Sequence, residues 1–453
     1  RRRPDADAPA LGGVQQPIRK RKLSTQASPS APDASSAPGA RSRAADVAAA
    51  DAADAAKAAA IAQIVATIRE PETAPGKLIC ALAQLRRELS AHASPPIQAL
   101  LDAGGVEALV QTLRSASVAA KLDVAWVLGN IAAGTSAQAT AVVQAGAVEE
   151  LFVVLASPDM SERADLCDQC LWALGNIAGD TDVALRDSLL KAGVVGELGQ
   201  LYAQMPSMPW DLTSRLQVLR TVTWLMSALC RGQPAPSLEE VDCAFDYFAQ
   251  VVTGTEDAQM LSEAMWGLCC LLEGAATDEE ASARAERLLS AGFGGPEDAP
   301  KPPTVHPVIA QVVRCLGRNS DSAAPLPVPA LRLLGALVSV PAPGPTDIVL
   351  HAGALQALGN VLADTRAPAQ VRREAAWALS NIAAGTPAQA QAVHADAKIW
   401  NALCQGLNYN PPSKIRRECA WAVANVAKRG VPAGSVRLDG QPGQASGCEG
   451  GPC

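Results

Sequence analysis

Residues Val124 to Leu151 read VAWVLGNIAAGTSAQATAVVQAGAVEEL, and Cys170 to Leu198 read CLWALGNIAGDTDVALRDSLLKAGVVGEL. Both hold a Trp with an Asn four residues on, a Gly closing the first apolar run, and an Ala-Gly pair before the next. The pattern returns as AAWALSNIAAGTPAQAQAVHADAKIW from Ala375 and as CAWAVANVAKRG from Cys419. Tryptophans 126, 172, 224, 266, 377 and 421 mark it, at steps of 46, 52, 42, 111 and 44. Setting Arg332-Leu-Leu-Gly-Ala336 on Trp377-Ala-Leu-Ser-Asn381 divides the long step into 66 and 45, the excess being a Pro/Gly-rich insert from Gly292 to Pro307. A partial unit without Trp runs from Leu78 to Leu113.

This spacing is the period of three-helix armadillo or two-helix HEAT repeats. Within a unit, an apolar helix carrying the Trp ends at Gly134, Gly179 or Gly385, where glycine suits a left-handed cap. A second amphipathic helix follows, then Ala145-Gly146, Ala192-Gly193 or Ala352-Gly353, then a third short helix. Three helices favour armadillo. The prediction is an all-α, right-handed superhelical solenoid of about eight armadillo repeats, three helices each, over residues 61–430. Each unit leaves apolar surface that only its neighbours cover, so the array should have one continuous core and a concave face.

Composition agrees. Hydrophobic residues make up 49% of the 453 and aromatics only 3%; alanine and leucine are the best helix formers, while strands favour the β-branched and aromatic residues. Residues 1–60 hold five large apolar residues (Leu11, Val14, Ile18, Leu23, Val47), too few to offset the entropy of ordering. They are expected to form a disordered basic tail, as is the Gly-rich stretch 431–453. The tail 1–60 carries ten Lys/Arg against six Asp, whereas residues 61–430 carry 27 basic and 37 acidic side chains. A body of charge −10 repels nucleic acid and attracts cationic partners.

Twelve cysteines without a framework spacing fit a reducing compartment. Cys167 and Cys170 form a CxxC with no second pair or nearby His, so no metal is expected. The uncharged run Val124–Val148 contains Asn130, Gly134, Thr135, Ser136, Gln138 and Gln144, and reads as helix-turn-helix rather than a membrane span. Four scattered histidines (His92, His306, His351, His394) and no phosphate-binding fingerprint leave nothing to catalyse with, and no cofactor is predicted.

The distinctive element is Trp-x-x-x-Asn: Trp126/Asn130, Trp172/Asn176, Trp377/Asn381 and Trp421/Asn425. Four residues apart on a helix means one face, a turn apart. A lone Trp there would be core, but an unsatisfied buried amide costs about 1–3 kcal/mol, so the repeated Asn predicts an exposed ladder. An Asn amide holds both the C=O and N–H of an extended peptide residue. Successive indoles would form slots for Lys or Arg stems, with cation–π attraction of about 0.5–2 kcal/mol.

AWVLGNIAAGTS from Ala125, LWALGNIAGDT from Leu171 and EAAWALSNIAAGT from Glu374 carry a resemblance of residues 78–430 to importin α (karyopherin α), the armadillo adaptor that binds basic nuclear localisation signals. The resemblance implies a major site of Trp126, Asn130, Gly134, Trp172, Asn176, Asp180 and Trp224, with Arg231, Glu263, Trp266 and Glu273 in the groove. Asp180 would receive the key lysine of the signal. It implies a minor site of Arg332, Glu374, Trp377, Asn381, Glu418, Trp421 and Asn425. It further implies importin β as partner, shuttling between cytoplasm and nucleus, and no enzymatic activity, nucleic acid or membrane.

Several positions depart from the family. Ala228 and Ala336 stand where it has the ladder Asn, each loss removing one peptide clamp; Cys270 follows Trp266 at the same offset. The basic importin-β-binding segment has no full counterpart, Arg1-Arg2-Arg3 being its possible remnant, and the ninth and tenth repeats are missing. In the family that segment also occupies the groove until importin β removes it. Arg19-Lys20-Arg21-Lys22 is the candidate for such autoinhibition here. Two other readings stay open. A scaffold for other extended peptides is one, although catenin-like grooves are basic, opposite in sign to this body. The substrate-binding part of a ubiquitin ligase is the other, although residues 1–60 offer no folded U-box.

Overall fold

The computed structural model describes residues 40–70, 73–90, 95–115, 117–157, 160, 162–291, 305–317, 326–408 and 412–429, with side chains from Asp54 onward, Ser115 excepted. These residues form α-helices and one 3-10 turn, with no strand among them. They fall into two compact units, one ending at Leu229 and the other beginning at Cys230.

The first unit opens with a two-helix repeat, α1 (Ala40–Arg69) and α2 (Pro75–Ser90). Three three-helix repeats follow: α3 (Ile97–Asp102), α4 (Gly105–Ser115) and α5 (Val118–Ala132); α6 (Ser136–Gln144), α7 (Ala147–Leu155) and α8 (Ala164–Ala178); α9 (Val183–Lys191), α10 (Val194–Gln204) and α11 (Leu212–Leu229). Equivalent helices stack on one another: α2, α5, α8 and α11 in one layer, α1, α4 and α7 in a second, α3, α6 and α9 in a third.

The second unit repeats this plan with α12 (Leu238–Gly254) and α13 (Ala258–Glu273), then α14 (Asp278–Ser290), α15 (Pro307–Cys315) and α16 (Pro327–Ser339). Two further repeats complete it: α17 (Pro343–His351), α18 (Ala354–Ala363) and α19 (Ala369–Ala383); α20 (Pro387–Ala395), α21 (Ala397–Asn408) and α22 (Ser413–Lys428). The Trp- or Arg-bearing helices α13, α16, α19 and α22 stack in order. Eight repeats are therefore described, but two of them have two helices rather than the three expected of each. Before α12 the chain runs Cys230-Arg-Gly-Gln-Pro-Ala-Pro-Ser237, and its prolines remove the amides a short first helix needs. Buried Arg284 holds this segment, donating to the carbonyls of Pro236 and Leu271 at 2.9 Å each.

Turn chemistry sets the boundaries. Thr135 and Gln138, and again Thr386 and Gln389, form reciprocal capping boxes that start α6 and α20. Gly146, Gly193 and Gly353 adopt left-handed φ of 80°, 76° and 79° and turn the chain into α7, α10 and α18. The glycines that close the Trp helices do not do this, contrary to expectation. Gly179 has φ −85°, and Gly134 and Gly385 are not left-handed either. Gly134 is needed for room: a Cβ there would lie 1.8 Å from the Gln138 side-chain oxygen of the capping box.

The predicted tail boundary at residue 60 also needs correcting, since α1 runs without a break from Ala40 to Arg69. Counting large apolar residues overlooked the alanine run 48–60, which has high helix propensity and packs through Ile61, Ile64, Val65 and Ile68. Residues 1–39, 292–304 and 430–453 lie outside the described residues, and with them the basic run Arg19–Lys22. Among the described residues no single helix is long and apolar enough to cross a membrane. Cys167 and Cys170 are both buried on α8, and burial pushes both thiols up.

Candidate functional site

Within each unit the helices that carry the tryptophans stack with their repeat positions in register, so each position forms a column. In the first unit Trp126, Trp172 and Trp224 are only 4–7% exposed, and Trp377 of the second is 6% exposed. The exposed aromatic ladder expected from the sequence is thus mostly core, and the reason lies three residues further along each helix. Position +3 is Gly129 in α5, Gly175 in α8 and Gly335 in α16. A Cβ added at these sites would sit 2.3, 2.0 and 2.1 Å from Trp172, Trp224 and Trp377. The next repeat's indole therefore lies against bare backbone. A helical Gly costs roughly 1 kcal/mol against Ala, which burial of a large aromatic, roughly 1.5–3 kcal/mol, can offset.

Each Asn is partly consumed by the same joint. Asn176, 0% exposed, donates from Nδ2 to the Gly129 carbonyl at 3.0 Å, and Asn425 donates to the Ser380 carbonyl at 3.0 Å. Asn381 reaches Ser339 Oγ at 2.8 Å, and that hydroxyl donates to the Gly335 carbonyl at 2.6 Å. In all three the amide clips its repeat to position +3 of the preceding one. Asn130 instead donates to the Trp126 carbonyl of its own helix at 2.9 Å. The amides were expected to serve a peptide with both ends; one donor is already spent on the fold.

What α8 leaves over is specific. Gln169 Oε1, Trp172 Nε1 and Asn176 Oδ1 are buried without a hydrogen-bond partner, two acceptors flanking a donor at offsets −3, 0 and +4. Trp377 Nε1 is buried and unpartnered as well. Orphan polar groups of this kind cost about 1–3 kcal/mol each.

The −3 column carries the charge. It reads Asp123, Gln169 and Thr221 in the first unit and Glu263, Pro329, Glu374 and Glu418 in the second, four of the seven being acidic. Its carboxylates meet the protein's own arginines: Arg86 pairs with Asp123, Arg231 Nη2 with Glu263 at 2.9 Å, Arg373 with Glu374, and Arg417 Nε with Glu418 at 3.3 Å. Arg332 lies 2.5 Å from Glu273 and 3.6 Å from Glu374. Burial pushes the Glu273 carboxyl up, and the Arg332 guanidinium opposes that only in part. Two slots of the ladder are occupied from within. Arg86 stacks 4.9 Å from the Trp126 ring centroid and Arg332 stacks 5.3 Å from that of Trp377.

The remaining predicted positions divide between the two units. Asp180, just past α8, accepts from Ser136 Oγ at 2.5 Å and from the Asp182 amide at 2.9 Å. Gly134 lies at the start of the same turn as Ser136. Trp266 is half-buried on α13, whereas Trp421 is 44% exposed on α22. Ala228 and Ala336, which replace the ladder Asn, and Cys270 at the same offset are all buried. Asp123 and Gln169 were missed in the sequence; the constant offset of −3 from each Trp would have found them.

Comparison with known proteins fits this construction. The armadillo/β-catenin-like repeat family matches residues 93–133 and 342–384, the segments containing α3 to α5 and α17 to α19. A crystal structure of an engineered protein superposes with a TM-score of 0.65 and 24% identity, over 81% of this chain and 78% of that one, a likeness of fold. The chain is 30% identical over 298 residues to importin subunit alpha-1b of Oryza sativa subsp. japonica, covering 66% of this chain and 48% of the relative. It is 36% identical over 196 residues to importin subunit alpha-2 of Arabidopsis thaliana, covering 43% and 34%. The chain spans a third to about half the length of these relatives. Fold and repeats together define an all-α armadillo-repeat protein. Among such proteins it is importin-α-like.

Proposed function

We propose that this chain is a nuclear import adaptor whose Trp-bearing helices bind the extended basic signals of cargo proteins, moving between cytoplasm and nucleus with importin β. The observation that carries the reading is the orphan trio on α8. Asn176 Oδ1 and Gln169 Oε1 can accept and Trp172 Nε1 can donate, the two functions that the N–H and C=O groups of an extended peptide require. Backbone capture leaves the sequence of the ligand free, and the net negative charge of the body then favours basic side chains. Asp180 is the candidate receiver of a lysine from the signal, standing at the end of the helix that bears the orphan groups. The importin names of the relatives support the transport role, as does the −10 charge of residues 61–430. Importin β would engage the basic residues before α1.

The test is binding of a labelled lysine-rich peptide to the full chain, with an acidic peptide of equal length as control. The lysine-rich peptide is expected to bind and the acidic one not. Asp180→Lys should weaken the first at least tenfold, because a repelling charge then stands where a lysine docks. Preference for the acidic peptide would overturn the reading in favour of another kind of scaffold.

A further inference from the structure

Position +8 from the marking Trp or Arg of a repeat is glycine after Trp126, Trp224, Trp266 and Trp377, and Val340 after Arg332. The two remaining repeats put a charge there, and the signs are opposite: Asp180 after Trp172, Arg429 after Trp421. Both side chains reach back to the turn that closes the preceding Trp-bearing helix. Asp180 accepts from Ser136 Oγ at 2.5 Å in the turn after α5, and Arg429 Nη2 donates to the Ala384 carbonyl at 2.6 Å at the end of α19. Their separations along the chain, 44 and 45 residues, confirm that the two positions are equivalent. The neighbouring charge is reversed as well. From Ala164 to Asp180 there are three Asp and no Lys or Arg, a net −3; from Ser413 to Arg429 five basic residues face one Glu, a net +4. That Glu, Glu418, has Arg417 Nε 3.3 Å away.

We infer that Arg429 is a specificity-determining residue: it bars the cationic side chains of a basic ligand from the turn between α19 and α20. That turn is the equivalent of the one where Asp180 would receive a lysine, so recognition of that kind belongs to the first unit. The inference rests on the peptide-binding reading proposed above for the nature of the ligand; the reversal of charge does not. The bond to Ala384 also caps α19, whose last carbonyls carry partial negative charge. It takes one of the five guanidinium N–H groups and leaves the positive charge in place, on a residue that is exposed. A lysine ammonium brought to this turn would stand beside a like charge, an arrangement that interfaces use to reject a partner. Because a guanidinium stays protonated throughout the physiological range, the bar does not depend on pH.

The experiment uses the full chain and capped tetralysine bearing a benzophenone, the crosslinked residues being located by mass spectrometry. The parent should be labelled around α8 and Asp180, with little label on residues 384–429. Arg429→Asp should raise labelling of 384–429 at least threefold. Lys414→Asp makes the same change of charge at the far end of α22 and should leave that labelling unchanged. Since Arg429→Asp also gives up the cap on α19, Arg429→Gly, the residue most repeats hold there, is measured beside it. It should raise the labelling by a smaller factor. A parent labelled on 384–429 as strongly as around α8 would overturn the inference and leave the peptide-binding reading intact. Equal gains from Lys414→Asp and Arg429→Asp would overturn it too, reducing the effect to net charge, as would the absence of a gain in both Arg429 variants. If tetralysine labels the parent nowhere and Arg429→Asp gains label on 384–429, the bar stands and the peptide-binding reading has failed. No label on any variant sinks both.

Discussion

An asparagine amide has two ends, and in this protein they face different tasks. Asn176 spends a donor on the Gly129 carbonyl, while its Oδ1 has no hydrogen-bond partner. Its replacement by Ala should therefore affect stability as well as binding, lowering unfolding free energy by about 1–2 kcal/mol in urea titration. An unchanged midpoint and slope would show that the clip contributes nothing. Arg332 makes a second prediction at this scale. It faces Glu273 and Glu374 in a setting where burial already holds the Glu273 carboxyl above its ordinary range. A carboxyl whose folded pKa is raised favours the fold below its unfolded pKa and loses that contribution as pH rises through the folded value. Arg332→Ala removes the opposing cation and should raise the folded value further. The loss, about 3–5 kcal/mol near neutral pH for a stranded buried charge, should then shrink toward pH 4.5. Equal losses at pH 4.5 and 7.5 would show that the Arg332 pairs do not govern the titration.

At the scale of helices, the joint between α8 and α11 depends on an absent side chain. Gly175→Ala gains intrinsic helix propensity of about 1 kcal/mol yet places a Cβ 2.0 Å from Trp224. Overpacking of this kind typically costs about 1–3 kcal/mol, so net destabilisation is expected despite the better helix former. The same exchange at Gly196, where a Cβ meets nothing within 4 Å, should be neutral or stabilising. Thermal unfolding of the two variants side by side makes the comparison, and equal melting temperatures would refute the seating of Trp224.

At the scale of the whole chain, a basic run, Arg19-Lys20-Arg21-Lys22, is tethered to a body of charge −10. Tethering can hold a ligand at millimolar effective concentration, so the run should compete with an added basic peptide. Deleting residues 1–39 leaves α1 whole, because that helix begins at Ala40. The deletion should raise peptide affinity a few-fold, and equal affinity for the full and shortened chains would refute competition.

The periodic tryptophans, the alanine-rich helices and the Ala-Gly turns determined the repeat fold by themselves, because each records a local preference of a helix or a turn. Whether a repeat has two helices or three was less legible, since the loss of a first helix depends on the prolines of 230–237 and on Arg284, 48 residues from the Pro236 carbonyl it holds. The candidate site was legible as a set of repeating positions, whose burial and pairing were not. Sequence marked Trp126, Trp172, Trp224 and Trp377 as a ladder, and only packing against the preceding repeat showed that glycine at +3 sinks three of these rings while Arg86 and Arg332 stack on two. Burial and pairing are set between helices some 45 residues apart in the chain, and no local pattern reports which neighbour a side chain will meet.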